Sequence, residues 1–176
     1  MNEIKYPYIP EGRNMLYVPA NNPFMIEAIR VRNTESTDKN HSTGAVVVKG
    51  GVIIGRAANH AGFKHPKFVA LHARGWCVRR KLKVKSGTKY WLCPGCSTHV
   101  DHAESGAVRN AISKAGAEAV IGADLYLYGH WWCCKPCWDA MIEAGIRDVY
   151  LLEKSWELFN SELNHEIKKR GKPKQN

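Results

Sequence analysis

Apolar and polar positions follow two different periods along this chain, and the changes of period mark its elements. The β-branched run Gly44-Ala45-Val46-Val47-Val48, the turn pair Gly50-Gly51 and the return Val52-Ile53-Ile54-Gly55 predict a β-hairpin. Upstream, Pro23 and the amphipathic stretch 24–32 predict a helix opening at Asn22. Residues 1–21 carry Pro7, Pro10, Gly12 and Pro19 among aromatics and read as an irregular arm packed on the body; 34–43 reads as a polar loop.

Beyond the hairpin, periodicity is lost from 59 to 100, a length that calls for an ordered insertion rather than a plain loop. Helical spacing returns over 101–117, with Ala103, Ala107, Ala111 and Ile112 apolar on one side and Gly116 as a stop. A strand is predicted over 123–128, a helix over 134–144 ended by Gly145, a core strand over 149–152 and a closing helix over 155–170. Strands alternating with helices after a hairpin predict an α/β fold in three layers, α/β/α, around a mixed central sheet. The chain, 1–176, is read as a single domain: an arm (1–21), a basic Cys-containing insertion (60–100) and a basic tail (171–176).

Composition narrows the class. Among 176 residues, 44% hydrophobic and 24% charged, no apolar run reaches the ~20 residues that span a bilayer. Met1-Asn2-Glu3-Ile4-Lys5 shows neither the charged nor the apolar region of a secretory signal, so a cytoplasmic protein without membrane association is expected. Lys and Arg number 26 against 16 Asp and Glu, a formal net charge of +10 that favours anionic partners. Between positions 61 and 100 there is no acidic residue, while Lys64, Lys67, Arg74, Arg79, Arg80, Lys81, Lys83, Lys85 and Lys89 all fall there. The closing run from Lys168 to Lys174 reads as a solvated helix end.

The six cysteines, at 77, 93, 96, 133, 134 and 137, cluster in the middle of the chain, and four of them form two CxxC pairs. That clustering points to metal binding rather than disulfides. His102-Ala103-Glu104 opens one predicted helix and Cys134-Lys135-Pro136-Cys137 opens the next. At a helix N-terminus both sulfurs face one point, and the positive dipole end stabilises the thiolates that zinc takes. With His102 as third ligand, one coordination position is left for water. Glu104, two residues after a ligand, can lie beside the metal without binding it and move protons. A structural zinc ribbon is the plainer alternative, but it requires neither that Glu nor two helix openings.

The pattern resembles the zinc nucleobase deaminases, with their H-x-E and P-C-x-x-C signature, and in its context the deoxycytidylate deaminase branch. The resemblance runs from about Ala28 to Leu152. It includes Ser42-Thr43-Gly44-Ala45-Val46, His102-Ala103-Glu104, Asn110-Ala111-Ile112, the stretch from Tyr126 to Cys137, Ala144-Gly145-Ile146 and Val149-Tyr150. It implies a cytidine-deaminase-like fold and a catalytic Zn2+ on His102, Cys134 and Cys137. It further implies zinc-bound hydroxide attacking C4 of a cytosine ring, with Glu104 shuttling protons. Asn59 matches the asparagine that contacts the sugar, Ala103 falls among the substrate-binding positions, and Trp131 and Trp132 fall where the base pocket is lined. Core packing is the alternative for the two tryptophans. This chain departs from the family where Cys133 replaces the proline before the first Cys, and where Gly55-Arg56-Ala57-Ala58-Asn59-His60 stands for a sequence closer to G-Y-N-G. Little sequence follows Leu152, so the fifth strand of some relatives is expected to be missing.

Cys93-Pro94-Gly95-Cys96 looks like a metal knuckle, with Cys77 in the same insertion and His65, His72 and His99 nearby in sequence. Some deoxycytidylate deaminases hold a second, structural zinc in this insertion. The corresponding reading here is Cys77, Cys93 and Cys96 with His72 or His99 as fourth ligand; the alternative is reduced, buried thiols. The basic residues with Trp76, Tyr90 and Trp91 either line a groove for single-stranded nucleic acid or supply one or two cations for a nucleotide phosphate. Lys83 and Lys85, alternating with Leu82 and Val84, also fit an exposed strand. The expected function is deamination of a pyrimidine nucleotide, dCMP to dUMP first, in a homo-oligomer. The alternatives are a deaminase of cytosine or adenine in single-stranded DNA or RNA, and a catalytically silent nucleic-acid-binding module.

Overall fold

In the computed structural model, which describes residues 7–38, 41–63, 65–84 and 88–160, five strands form one sheet. Strand β1 is Met15–Val18, β2 Gly44–Lys49, β3 Val52–Ala58, β4 Asp124–Tyr128 and β5 Val149–Leu152, in the order β1-β5-β4-β2-β3. The hairpin β2–β3 and the β2–β4 pair are antiparallel, while β4–β5 and β1–β5 are parallel, so the sheet is mixed as predicted.

Side-chain alternation divides the core into two layers. Ala45, Val47, Leu125, Leu127, Val149 and Leu151 point to one face, while Val46, Val48, Tyr126 and Leu152 point to the other. The second face is covered by α1 (Pro23–Glu35), through Met25, Ala28 and Val31. That helix begins where expected, because Asn22 Oδ1 accepts from the backbone N–H groups of Phe24 and Met25 and Pro23 opens the first turn. The insertion forms α2 (Pro66–Ala73) and α3 (Val78–Lys81), joined to the next helix through two short 3-10 turns. The first face carries α4 (Ala103–Ala115), whose end is followed by α5 (Ala117–Val120), and α6 (Lys135–Glu143). Gly116 and Gly145 end α4 and α6 with φ of +87° and +78°, conformations that glycine adopts without strain.

Three readings from the sequence need correction. The arm is not irregular throughout: β1 lies in it and pairs with β5 from Met15↔Val149 to Val18↔Leu152. The sheet's fifth strand thus comes from the N-terminal side, and among the described residues no strand follows β5. The four residues of β1 between prolines show too short an alternation to stand out. Ile112 does not share the buried side of α4 but is exposed. Finally, 82–84 is not a strand: α3 ends at Lys81, and Lys83 turns the chain with φ of +51°.

The helix predicted over 155–170 is described as α7 (Ser155–Phe159), which ends with extended backbone at Asn160; Lys85, residues 161–170 and the basic tail lie outside the described residues. Among the described residues no helix is long and apolar enough to cross a membrane.

Candidate metal centre and active site

His102 is the N-cap of α4 and Cys134 the N-cap of α6, with Cys137 one turn inside the second helix. Both helices start at the same end of the sheet, so the two openings face each other. His102 Nδ1 stands 3.5 Å from Cys134 Sγ and 3.4 Å from Cys137 Sγ, and all three donor atoms lie within 4.8 Å of one another. Donors about 2.0–2.3 Å from one tetrahedral centre stand roughly 3.4–3.8 Å apart. The set therefore fits zinc, and its three members leave a fourth position open. The Cys137 thiol, then the His102 ring, pull the Cys134 thiol well below its ordinary value against the cost of burial. The α6 N-terminus favours the same thiolate. Ser105 Oγ, near the start of α4, touches Cys137 Sγ at 3.5 Å and ties the two helices beside the donor set.

Glu104 is 5% exposed at the start of α4. Burial raises its carboxyl above the usual carboxylate range, and the His102 ring eases that shift. A buried carboxyl so placed takes a proton more readily than an exposed one and can pass it to a neighbour. Cys133 is fully buried and is not one of the three donors; its thiol hydrogen-bonds Glu104, and burial raises it well above its ordinary value.

The insertion builds a second group. His72, Cys77, Cys93 and Cys96 are all buried, with donor atoms within 4.8 Å of one another. Cys77 Sγ is 3.6 Å from Cys96 Sγ, which is 3.5 Å from His72 Nε2, and none of the cysteines is in a disulfide. Four N and S donors at these separations fit a closed tetrahedral zinc site, the structural type. His72 rather than His99 completes the set, since His99 lies exposed in a 3-10 turn and His65 caps α2.

Tyr90 joins the two centres. Its ring meets His102 edge-on at 5.7 Å, and the Arg79 guanidinium lies 4.0 Å above it. Arg79, almost fully buried, donates to Thr88 O and lies 3.9 Å from Cys96 Sγ. Sequence reasoning placed Tyr90 and Arg79 only among a surface of aromatics and cations; their pairing within the insertion was the signal for an internal role.

The remaining sequence-predicted residues lie as follows. Ala103 is fully buried in the first turn of α4. Asn59, 3% exposed at the end of β3, accepts from Ser36 Oγ and Thr43 N through Oδ1 and donates to His41 O and Ser97 Oγ through Nδ2. Trp132 is buried in the core, whereas Trp131 is half-buried and meets Trp156 of α7 edge-on at 4.3 Å. Both tryptophan N–H groups of the backbone donate to His130 Nδ1, which fixes the loop before Cys134.

A mixed sheet whose adjoining helices open on a three-donor metal set, with a buried carboxyl beside it, defines a zinc-binding α/β protein with an open coordination position. A family profile described as the cytidine and deoxycytidylate deaminase zinc-binding region matches residues 19–153, and the chain belongs to that family. Among solved structures it is similar to a diaminohydroxyphosphoribosylaminopyrimidine deaminase/5-amino-6-(5-phosphoribosylamino)uracil reductase of Thermotoga maritima, at 25% identity and a TM-score of 0.42. That likeness covers 73% of this chain and 28% of the other. It is similar to a tRNA:A34 deaminase at 26% identity and a TM-score of 0.35, over 62% of this chain and 60% of that one. A dCMP deaminase of cyanophage S-TIM5 is 21% identical, with a TM-score of 0.44, over 78% of this chain and 86% of that one. The chain thus spans less than two thirds of the length of the first two. A search of curated proteins returns no match.

Proposed function

We propose that this protein is a zinc-dependent hydrolytic deaminase of a cytosine nucleotide, converting dCMP to dUMP. The observation that carries the reading is the placement of Glu104: a buried carboxyl two residues from His102, beside three donors that leave a fourth position open. Bound there, zinc would lower the pKa of a water molecule and make it a nucleophile near neutral pH. His102, Cys134 and Cys137 would hold the metal, with the N-termini of α4 and α6 favouring the thiolates. Glu104 takes one proton from the attacking water and gives it to the ring nitrogen as the C–O bond forms at C4. It then carries the second proton, from the new hydroxyl, to the amine, so that the C–N bond breaks, the carbonyl forms and ammonia departs. Its burial suits the first transfer, because a carboxyl raised above its usual range is a stronger base than an exposed carboxylate and takes the proton from water more readily. Ser105, Cys133 and Tyr90 hold the thiols, the carboxyl and the imidazole in place without joining the reaction.

A second reading, action on cytosine or adenine in single-stranded DNA or RNA, draws on the insertion surface. Trp91 is 75% exposed and Trp76 39%, among the exposed Lys81, Lys83 and Lys89, a combination that suits stacked bases and tracked phosphates.

Mass-resolved assays of dCMP, CMP, deoxycytidine and a mixed-base single-stranded oligonucleotide, with Glu104→Ala as control, separate the readings. Conversion of dCMP alone is expected. Conversion of the oligonucleotide alone would replace the first reading by the second, and a Glu104→Ala protein as active as the parent would overturn both.

A further inference from the structure

The stretch 34–43 reads in the sequence as a polar loop, yet Asp38 within it is 3% exposed and lies against His72 of the second centre. We propose that Asp38 is a positioning residue that orients His72 toward the second metal and couples that metal to the order of the loop around Asn59. Asp38 Oδ1 stands 3.3 Å from His72 Nδ1, while Nε2 of the same ring faces Cys96 Sγ at 3.5 Å. A ring held at one nitrogen by a carboxylate presents the other in a fixed direction, the arrangement that sets the tautomer of a ligating histidine and raises its basicity.

The other oxygen acts on the opposite side of the cluster. Asp38 Oδ2 accepts from both the N–H and the Oγ of Ser97, each at 3.3 Å, and Ser97 directly follows Cys96. One carboxylate thus grips His72 and the residue joined to Cys96. The chain of bonds continues without a gap: Asn59 Nδ2 donates to Ser97 Oγ at 3.3 Å, and Asn59 Oδ1 holds Ser36 and Thr43 at 2.7 and 2.9 Å. The Asp38 carbonyl accepts from Ser36 Oγ and Ser42 Oγ, which closes the loop on itself. Filling the four-donor site fixes His72 and Cys96; Asp38 and Ser97 transmit that constraint to the loop. The inference rests on the proposed deaminase reading only in assigning the Asn59 side of the loop to substrate.

The test compares the full chain with Asp38→Asn and Ser97→Ala, using zinc as the probe. Zinc per chain by elemental analysis, and its transfer to a chromogenic chelator, should show the second site of Asp38→Asn weakened 10- to 100-fold with the first site retained. Ser97→Ala should keep both zinc ions. Hydrogen exchange supplies a readout independent of any substrate. In the parent, loss of the second zinc should speed exchange of the 36–38 and 41–43 amides; in Ser97→Ala those amides should exchange fast whether or not that zinc is bound. For dCMP, Ser97→Ala should raise KM several-fold with kcat little changed. Second-site affinity unchanged in Asp38→Asn would overturn the proposal, as would parent loop exchange that ignores the second zinc. Should Asp38→Asn fail to fold, the exchange comparison of the parent with Ser97→Ala decides alone. Absence of deamination would count against the proposed function and leave the metal and exchange results standing.

Discussion

Gly95 lies flat against the ring of His72: a Cβ built on Gly95 would stand 2.4 Å from His72 Cγ and 2.5 Å from its Cβ. No side chain can enter that gap unless the knuckle or the imidazole retreats, and Asp38 and Cys96 hold the imidazole from its two nitrogens. Gly95→Ala is therefore expected to break the four-donor geometry while leaving His102, Cys134 and Cys137 alone. Elemental analysis should find zinc falling from two per chain to one. A variant that still binds two would show that His72 is not a ligand.

Glu104 pays for its position in stability, because a charged carboxylate gains little in a buried crevice. Its replacement by the neutral amide of the same shape should reveal a functional rather than structural role. Glu104→Gln is expected to lower kcat by roughly 10²- to 10⁴-fold, the usual contribution of a positioned acid–base group. Zinc content should be unchanged and the melting temperature equal or higher. A melting temperature that drops sharply together with zinc would assign Glu104 to the scaffold instead.

Local signals made the metal-bearing helix openings, the hairpin and the two-faced sheet legible before any coordinates. Asn22 with Pro23 announces α1, Gly50-Gly51 announces the turn, and HxE with CxxC needs only a few residues each. What escaped depends on contacts distant in sequence. Asp38 gains its meaning from Ser97, 59 positions away, and nothing near it in the chain marks a buried carboxylate. Tyr90 and Arg79 look like surface groups until the insertion folds back on His102. Strand β1 is four residues long, and only the exposed edge of β5 makes it a strand. Ile112 follows the helical period but lies just beyond the stripe that the sheet covers.

Gly55 shows how closely α4 is pressed on β3. A Cβ there would lie 2.6 Å from Ala107 O, Ala111 N and Ala111 Cβ, and backbone atoms of a helix cannot turn aside as a side-chain tip can. Gly55→Ala is expected to push α4 off the sheet and cost about 1–3 kcal/mol, as overpacking does. Because α4 begins with the residues beside the metal, activity should fall along with the melting temperature. Chemical denaturation of parent and variant, with kcat measured on the same preparations, tests both; a variant as stable and active as the parent would contradict this packing.

The arm reaches the metal centre through Trp138, the residue after Cys137. The indole Nε1 donates to Tyr8 O at 3.0 Å, and Arg13 Nη1 donates to Ile146 O and Arg147 O at 2.9 and 2.7 Å, just before β5. Removing residues 1–18 would strip β1 from β5 and leave a buried indole N–H without its acceptor, at a cost of about 1–3 kcal/mol for that group. A bare strand edge also pairs readily with other chains. The truncated protein is therefore expected to melt at a lower temperature and to self-associate with rising concentration, seen by light scattering. Arg13→Ala, which keeps β1 and loses only two carbonyl contacts, should melt between the two and remain dispersed. Equal melting temperatures for all three proteins would mean that the arm rests on the fold without stabilising it.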